Sequence, residues 1–342
     1  MRVTSITPMK NEGPYIVEWV AYHQAIGLND IHVFTNHCSD GTDLILERLD
    51  EMGQLRHAPN PSILVENPRH HIQLIKYVNH MPRLRRSDWV INLDADEFLS
   101  VNTGAGHVSD LFEQLPDADA ISISLRNMGS NGIMRIADNG ALVTESFTRG
   151  QRIDVPASGA IKSFMRGGAR GCTRFANNSP VYNPAGLKRA KWYNGDGVPL
   201  AVEQGQMPVK ALPPEKAGFG LAHINHYAVR SMHGYLVQCD RGNANPLKGM
   251  PQEALKWEPA RRYFMKFNDN EVEDRSILAR CPDLRDRVEA LLQDPELRAL
   301  HEASVTWHRN RCRELLSDDG YRALLKAINR GHKRSVEALA AA

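Results

Sequence analysis

What most constrains this chain is an alternation of two periodicities. Over residues 1–127, short β-branched and apolar runs take turns with amphipathic stretches of helical period. "VTSIT" (3–7) reads as a buried strand. Pro14 to Ile26 reads as a helix: proline suits its first turn, Ile16, Trp19 and Val20 share a face, and Gly27 can end it. "DIHVFTN" (30–36) is the next strand, and Thr42 to Met52 the next helix, with Ile45, Leu49 and Met52 on one stripe. A weaker strand is expected at 54–58 and a helix from His71 to Met81. A strand in "WVIN", a short helix at 109–115 and a strand in "DAISISLRN" come next. Strands separated by such helices imply a mainly parallel sheet covered on both faces. Ligands bind such sheets at the carboxyl ends of the strands, near a reversal of strand order.

The rest of the chain changes character. Residues 130–220 are rich in Gly, Pro and Asn and are expected to form an irregular sheet with long loops, the kind of region that shapes a substrate site. From about residue 270 the pattern is helical, in "LRDRVEALL", "PELRALHEASVTWHRNRCRELL" and "GYRALLKAINRGHKRSVEALAAA". With 342 residues, 42% hydrophobic and 24% charged, the chain can build one large domain with an elaboration, or two domains. A net charge of +2 makes no electrostatic case for nucleic acid. Cys38, Cys172, Cys239, Cys281 and Cys312 are scattered with no CxxC pair, so reduced thiols are expected rather than disulfides or a zinc site. The first residues show no signal-peptide pattern, and no run of about 18 apolar residues is present. A cytoplasmic location is expected, with peripheral membrane contact left open.

The segment "WVINLDADEFLS" (89–100) carries the chemistry. An apolar run drops into Asp94, Asp96 and Glu97, and like charges this close repel and resist desolvation. Asp94 with Glu97 three positions later also matches a capping box, but Asn102, Gly104 and Gly106 suit a helix poorly. Solvated loop acids are a second plain alternative. A divalent cation accounts for the cluster better: Mg²⁺ and Mn²⁺ take carboxylate oxygens and leave positions open for phosphates. Ala95, small, allows two acids at i and i+2 to leave one strand end together.

Three further segments point to a family. "ITPMKNEGPYIVEWVAYHQAIG" and "HVFTNHCSDGTDLILERL" resemble the first two βα units of GT-A fold glycosyltransferases, close to family 2 and the related family 92. "INLDADEF" resembles their DxD motif, and "INHYAVRS" (224–231) their downstream His-Tyr segment. The resemblance covers roughly the first 240 residues. It implies an α/β GT-A fold, with a Rossmann-like, mainly parallel sheet and a helical C-terminal extension. Residues 1–127 would be the nucleotide-sugar half, 128–240 the acceptor half and 241–342 the extension. It implies a metal-dependent, inverting transfer from a nucleotide sugar, a UDP-sugar first of all, to a carbohydrate, lipid or protein hydroxyl. By the same resemblance Pro8, Lys10, Asn11, Glu12, Asn36 and Asp40 hold the nucleotide sugar. Asp94 approaches the ribose or the metal, Asp96 is the principal ligand of Mn²⁺ or Mg²⁺, and His226 a third ligand. Asn36 stands where many members carry a second Asp, which bears on base contacts and donor preference.

The catalytic base is not singled out: Glu145, Asp154, Asp196 and Glu203 all lie in the acceptor-side region. His223 and His226 are spaced HxxH without the HExxH signature of a zinc protease. Lys162, Arg166, Arg170 and Arg174 punctuate "GAIKSFMRGGARGCTRF" and could grip a diphosphate or an anionic acceptor. Lys162 is the preferred phosphate contact, because an alternating apolar stretch flanks it. One rival is a haloacid dehalogenase-type phosphohydrolase with Asp94 as nucleophile and "GDG" at 195–197. Phe98 and the unexplained first 90 residues count against it. The other rival is a catalytically silent nucleotide- or carbohydrate-binding protein, which would bind a donor without consuming it.

Overall fold

The computed structural model describes residues 1–67, 69–135, 141–154, 159–242 and 257–340. The expected alternation is present: β1 (Val3–Met9), α1 (Ile16–Ala25), β2 (Asp30–Thr35), α2 (Thr42–Glu51), β3 (Arg56–Pro59), α3 (His70–Val78), a short α4 (Pro82–Arg85) and β4 (Trp89–Asn92). These strands pair in parallel in the order β3-β2-β1-β4. The chain builds to one side of β1 and then returns to place β4 on the other. That reversal opens a crevice at the carboxyl ends of β1 and β4.

Beyond β4 the sheet becomes mixed. β5 (Glu97–Val101), α5 (Val108–Gln114), β6 (Ala120–Asn127), α6 (Val143–Ser146), β7 (Arg149–Gly150) and β8 (Ile161–Arg166) come next, and β8 runs antiparallel between β4 and β6. β9 (Cys172–Phe175), β10 (Pro180–Tyr182), α7 (Pro184–Leu187), β11 (Trp192–Asn194) and β12 (Ala222–His226) complete the middle of the chain. β12 lies parallel to β6 and antiparallel to β5, and β11 parallel to β6; β9 and β10 pair apart from the main sheet. Residues 97–101 are thus a buried strand, so the capping-box alternative fails: the acids lead into a turn and not into a helix.

The C-terminal elements are α8 (Met232–Asp240), α9 (Glu258–Phe267), β13 (Val272–Glu273), which pairs with β7, α10 (Ser276–Arg280), α11 (Leu284–Leu291), α12 (Pro295–Leu315) and α13 (Asp319–Ala340). α11 packs on α1, and α12 on α2, α8 and the turn at Gly13–Tyr15. The approach is close: a Cβ on Gly13 would stand 2.0 Å from Ser304 Oγ. Asp294 both caps α12, accepting from Leu297 N, and pairs with Arg48 Nη2 at 2.6 Å, which fixes α12 to α2. All five cysteines are free, and no helix among the described residues is long and apolar enough to cross a membrane.

α1 is buried nearly all round because one side meets the sheet and the other α11. Its aromatic side chains hold β5 by the backbone: Trp19 Nε1 donates to Glu97 O (3.0 Å) and Tyr22 OH to Leu99 O (2.7 Å). His23 lies between them, its Nδ1–H donating to Trp19 O (2.8 Å) and its Nε2 accepting from Leu99 N (3.4 Å), the pattern of a neutral ring. Burial pushes its pKa from 6.5 down to about 3, and burial with the Arg126 charge takes that of His223 to about 4. The unfolded chain therefore holds more protons than the folded one below pH 6.5. Each such histidine takes away about 1.4 kcal/mol of stability per pH unit as acid is added. Urea titrations at neutral and mildly acid pH should show that loss, and His23→Gln should flatten it. An unchanged slope would mean that His23 ionises inside the folded protein.

Candidate active site

At the carboxyl ends of β1, β2 and β4 lies a cavity of about 240 Å³. Pro8 and Lys10 reach it from the end of β1, Asn36 from the end of β2, and Asp94 and Asp96 from the turn after β4. The opposite wall is His226 at the end of β12, Gln238 and Arg241 at the end of α8, and Tyr263 of α9.

Local chemistry makes the acidic turn. Glu97 N donates to Asp94 O (3.1 Å), and the Glu97 carboxylate reaches back to accept from Asp94 N (2.9 Å). The 224–231 segment then pins the turn from outside: Tyr227 N donates to Asp96 O (2.8 Å) and Arg230 Nη2 to Ala95 O (3.0 Å). Two segments separated by about 130 positions in sequence thus form one backbone unit. Arg230 sits at φ +44° and Asn11 at φ +51°, strained for the arginine above all, and such conformations cluster where the surroundings over-determine a site.

The charges are arranged in pairs. Lys162 Nζ, on β8 and 2% exposed, donates to Asp94 Oδ2 at 2.8 Å and lies 3.4 Å from Glu97 Oε2. Burial raises the Glu97 pKa, because the strand end excludes water from it, and Lys162 only partly offsets that. Burial acts the same way on Asp94, but there Lys162 outweighs it and the pKa falls. Asp96 faces His226 Nε2 at 3.6 Å. Against the effect of burial, His226 and then Arg230 and Arg241 hold the Asp96 carboxyl well below the usual range. His226 moves up, burial opposing and Asp96 prevailing. Glu12 accepts from Arg230 (2.7 Å) and from Arg241, whose Nη1 also donates to Lys10 O (2.6 Å), so the two arginines clamp the first loop to α8.

Of the residues singled out in the sequence, Pro8, Lys10, Glu12, Asn36, Asp94, Asp96 and His226 line this one cavity. Asn11 and Asp40 do not. Asn11 exchanges two hydrogen bonds with Ser39. Asp40 is buried and accepts from Gly13 N, Thr42 N and His308 Nε2 (2.7 Å), so it secures the loops behind the cavity. Lys162 is spent on Asp94 and Glu97 instead of facing a phosphate. Part of the counter-charge that the acids demand is therefore supplied by the protein itself. The four candidate bases also stand elsewhere. Glu145 pairs with Arg285, Asp154 with Arg152 (2.5 Å), Asp196 accepts from Phe219 N and Gly220 N, and Glu203 is exposed beside a single 3₁₀ turn. Their shared stretch of sequence, 145–203, did not bring them to the cavity. Arg241, Gln238 and Tyr263 were missed because they sit on or just after helices whose local pattern carries no motif.

The donor set bears on whether a divalent cation fits. No group of three or more His, Cys, Asp or Glu side chains among the described residues is arranged to hold a metal unaided. However, Asp94 Oδ1 is a buried oxygen with no hydrogen-bond partner, and it stands beside the Asp96 carboxylate on the same wall. Two hard oxygen donors with room for phosphate oxygens and water fit Mg²⁺ or Mn²⁺.

Residues 3–150 match the family model described as Glycosyltransferase family 92. No curated protein matches the chain. Among solved structures, residues 1–349 of S. aureus TarS are 12% identical, over 99% of this chain and 92% of that one, with a TM-score of 0.33. The same TarS fragment in complex with UDP is 11% identical over the same shares, with a TM-score of 0.35. These structural likenesses are loose, and the assignment rests on the family match. That match also accounts for the N-terminal residues that a phosphohydrolase leaves unexplained. Over residues 3–150 the chain is thus similar to the glycosyltransferases of family 92, and that similarity supports a glycosyltransferase.

Proposed function

We propose that the cavity at the ends of β1, β2 and β4 binds a nucleoside-diphosphate sugar together with Mn²⁺ or Mg²⁺, and that the sugar passes to an acceptor hydroxyl with inversion. A UDP-sugar is the favoured donor. The observation that carries this reading is convergence: the first loop, Asn36, both DxD carboxylates and His226 meet around one cavity although they come from four separate stretches of sequence.

Asp96 and Asp94 would hold the cation, with His226 at its side. When bound, the cation supplies positive charge to the departing diphosphate. Lys10 and Arg241, on the cavity wall, add fixed positive charge from the protein. Arg241 is held in place by Glu12. Pro8 and Asn36 form the edge where a base and ribose would lie. Lys162 keeps Asp94 ionised and aimed, which is positioning and not contact. Inversion needs a base on the acceptor side, and the cavity wall itself offers no carboxylate beyond Glu12, Asp94 and Asp96 among the described residues.

Calorimetric titration of UDP and of GDP, first with Mn²⁺ and then with EDTA, tests the reading. Tight binding of UDP that disappears in EDTA is the expected result. Binding that survives EDTA would keep the nucleotide and remove the cation; no binding in either condition would remove the donor assignment.

A further inference from the structure

Between α8 and α12 lies a second cavity, of about 180 Å³, that shares no lining residue with the donor cavity. Arg135, His233, His308, Arg309 and Arg313 line it, with no carboxylate among the described residues of its wall. Several arginines elsewhere in the chain are held by carboxylates. Arg230 and Arg241 share Glu12, and Arg311, on the same helix, pairs with Asp240 at 2.7 Å and Glu314 at 2.9 Å. Arg313 instead donates through Nη1 to the neutral Asn310 (2.7 Å), with no carboxylate paired to it among the described residues.

His308 supplies an independent sign. It is 4% exposed, its Nε2 is committed to Asp40 Oδ2 at 2.7 Å, and its Nδ1 is buried without a hydrogen-bond partner. A buried ring nitrogen left unsatisfied is costly, and such groups call for an explanation. His233 feels the same field: burial and then the Arg135 charge push its pKa down.

We propose that this cavity is a binding site for a phosphate group, either inorganic phosphate or a small phosphomonoester. Guanidinium forks match phosphate oxygens in pairs, and two or more around one pocket favour a dianion with several oxygens over a single carboxylate. Arg135 and Arg313, both exposed at the mouth, are the principal contacts, and His308 closes the inner wall. Through His308 the site adjoins Asp40, which holds Gly13 N at 3.1 Å behind the first loop of the donor cavity. The phosphate site stands whether or not the other cavity takes a nucleotide sugar.

The test is calorimetry on the full chain in EDTA, at constant ionic strength, with inorganic phosphate in one arm and glycerol phosphate in the other. Saturable binding at one site is expected. Arg135→Gln with Arg313→Gln should weaken it about tenfold or more, and Arg313→Lys alone less, because a point charge replaces a fork. Asp96→Asn should leave it unchanged. Tighter binding of glycerol phosphate would identify an esterified ligand, and tighter binding of inorganic phosphate a free one. Heats that never saturate, or binding lost in Asp96→Asn but kept in the arginine variants, would overturn the proposal.

Discussion

Asp96→Asn is expected to cut donor turnover about 10²–10³-fold while the protein stays folded, the usual cost of removing one preorganised electrostatic contact to a developing charge. The substitution keeps the size of the side chain and leaves the turn intact, because Tyr227 N and Arg230 bond the backbone carbonyls of Asp96 and Ala95 and not the carboxylate. What disappears is a negative charge whose pKa His226, Arg230 and Arg241 hold low, so that it is fully ionised at any working pH. That charge is what would hold a cation against the diphosphate. Release of nucleoside diphosphate from the donor, at saturating Mn²⁺, reads the effect, and a thermal melt verifies folding. A rate within about threefold of the parent would remove Asp96 from the machinery, since a contact of that kind is worth far more.

Lys162→Met is expected to act on stability, lowering the unfolding free energy by about 3–5 kcal/mol at pH 8, the scale for stranding a buried charge. Lys162 and Glu97 side chains are each 2% exposed, whereas that of Asp94 is 33% exposed. Glu97 is therefore the group left stranded. Its folded pKa is already raised by burial and rises further once the ammonium is gone. Over the pH range between its unfolded and folded pKa values the folded state binds more protons than the unfolded, so stability falls as pH rises. The loss should accordingly shrink at mildly acid pH, where Glu97 is neutral. Pairing the change with Glu97→Gln should recover most of the loss. Urea unfolding of the single and double variants measures both. A loss below about 1 kcal/mol would show that water or another cation reaches Glu97, as for an exposed pair.

These two residues mark the line between what was legible in the sequence and what was not. Asp96 was legible, because a strand ending in acids is a local pattern with a chemical meaning. Lys162 stood out as a cation beside an apolar stretch, but its role did not. Only the antiparallel insertion of β8 beside β4 brings its ammonium to Asp94 and Glu97, and that pairing joins residues 68 positions apart. The candidate bases show the same limit: a carboxylate's neighbours are set by the fold, and Glu145, Asp154, Asp196 and Glu203 find theirs outside this cavity.

By itself the sequence determined the βα order, the strand ends that carry Pro8, Asn36, Asp94 and Asp96, and the helical C-terminus, because periodicity, caps and turn residues act within a few positions. Tertiary structure decided the rest. Strand β12 returns to lock the acidic turn, α8 and α9 close the cavity with Arg241 and Tyr263, and α12 brings His308 to Asp40 across 268 positions. Burial and charge pairing across such distances leave no periodic trace in the chain. They depend on which surfaces the packed sheet and helices bring together.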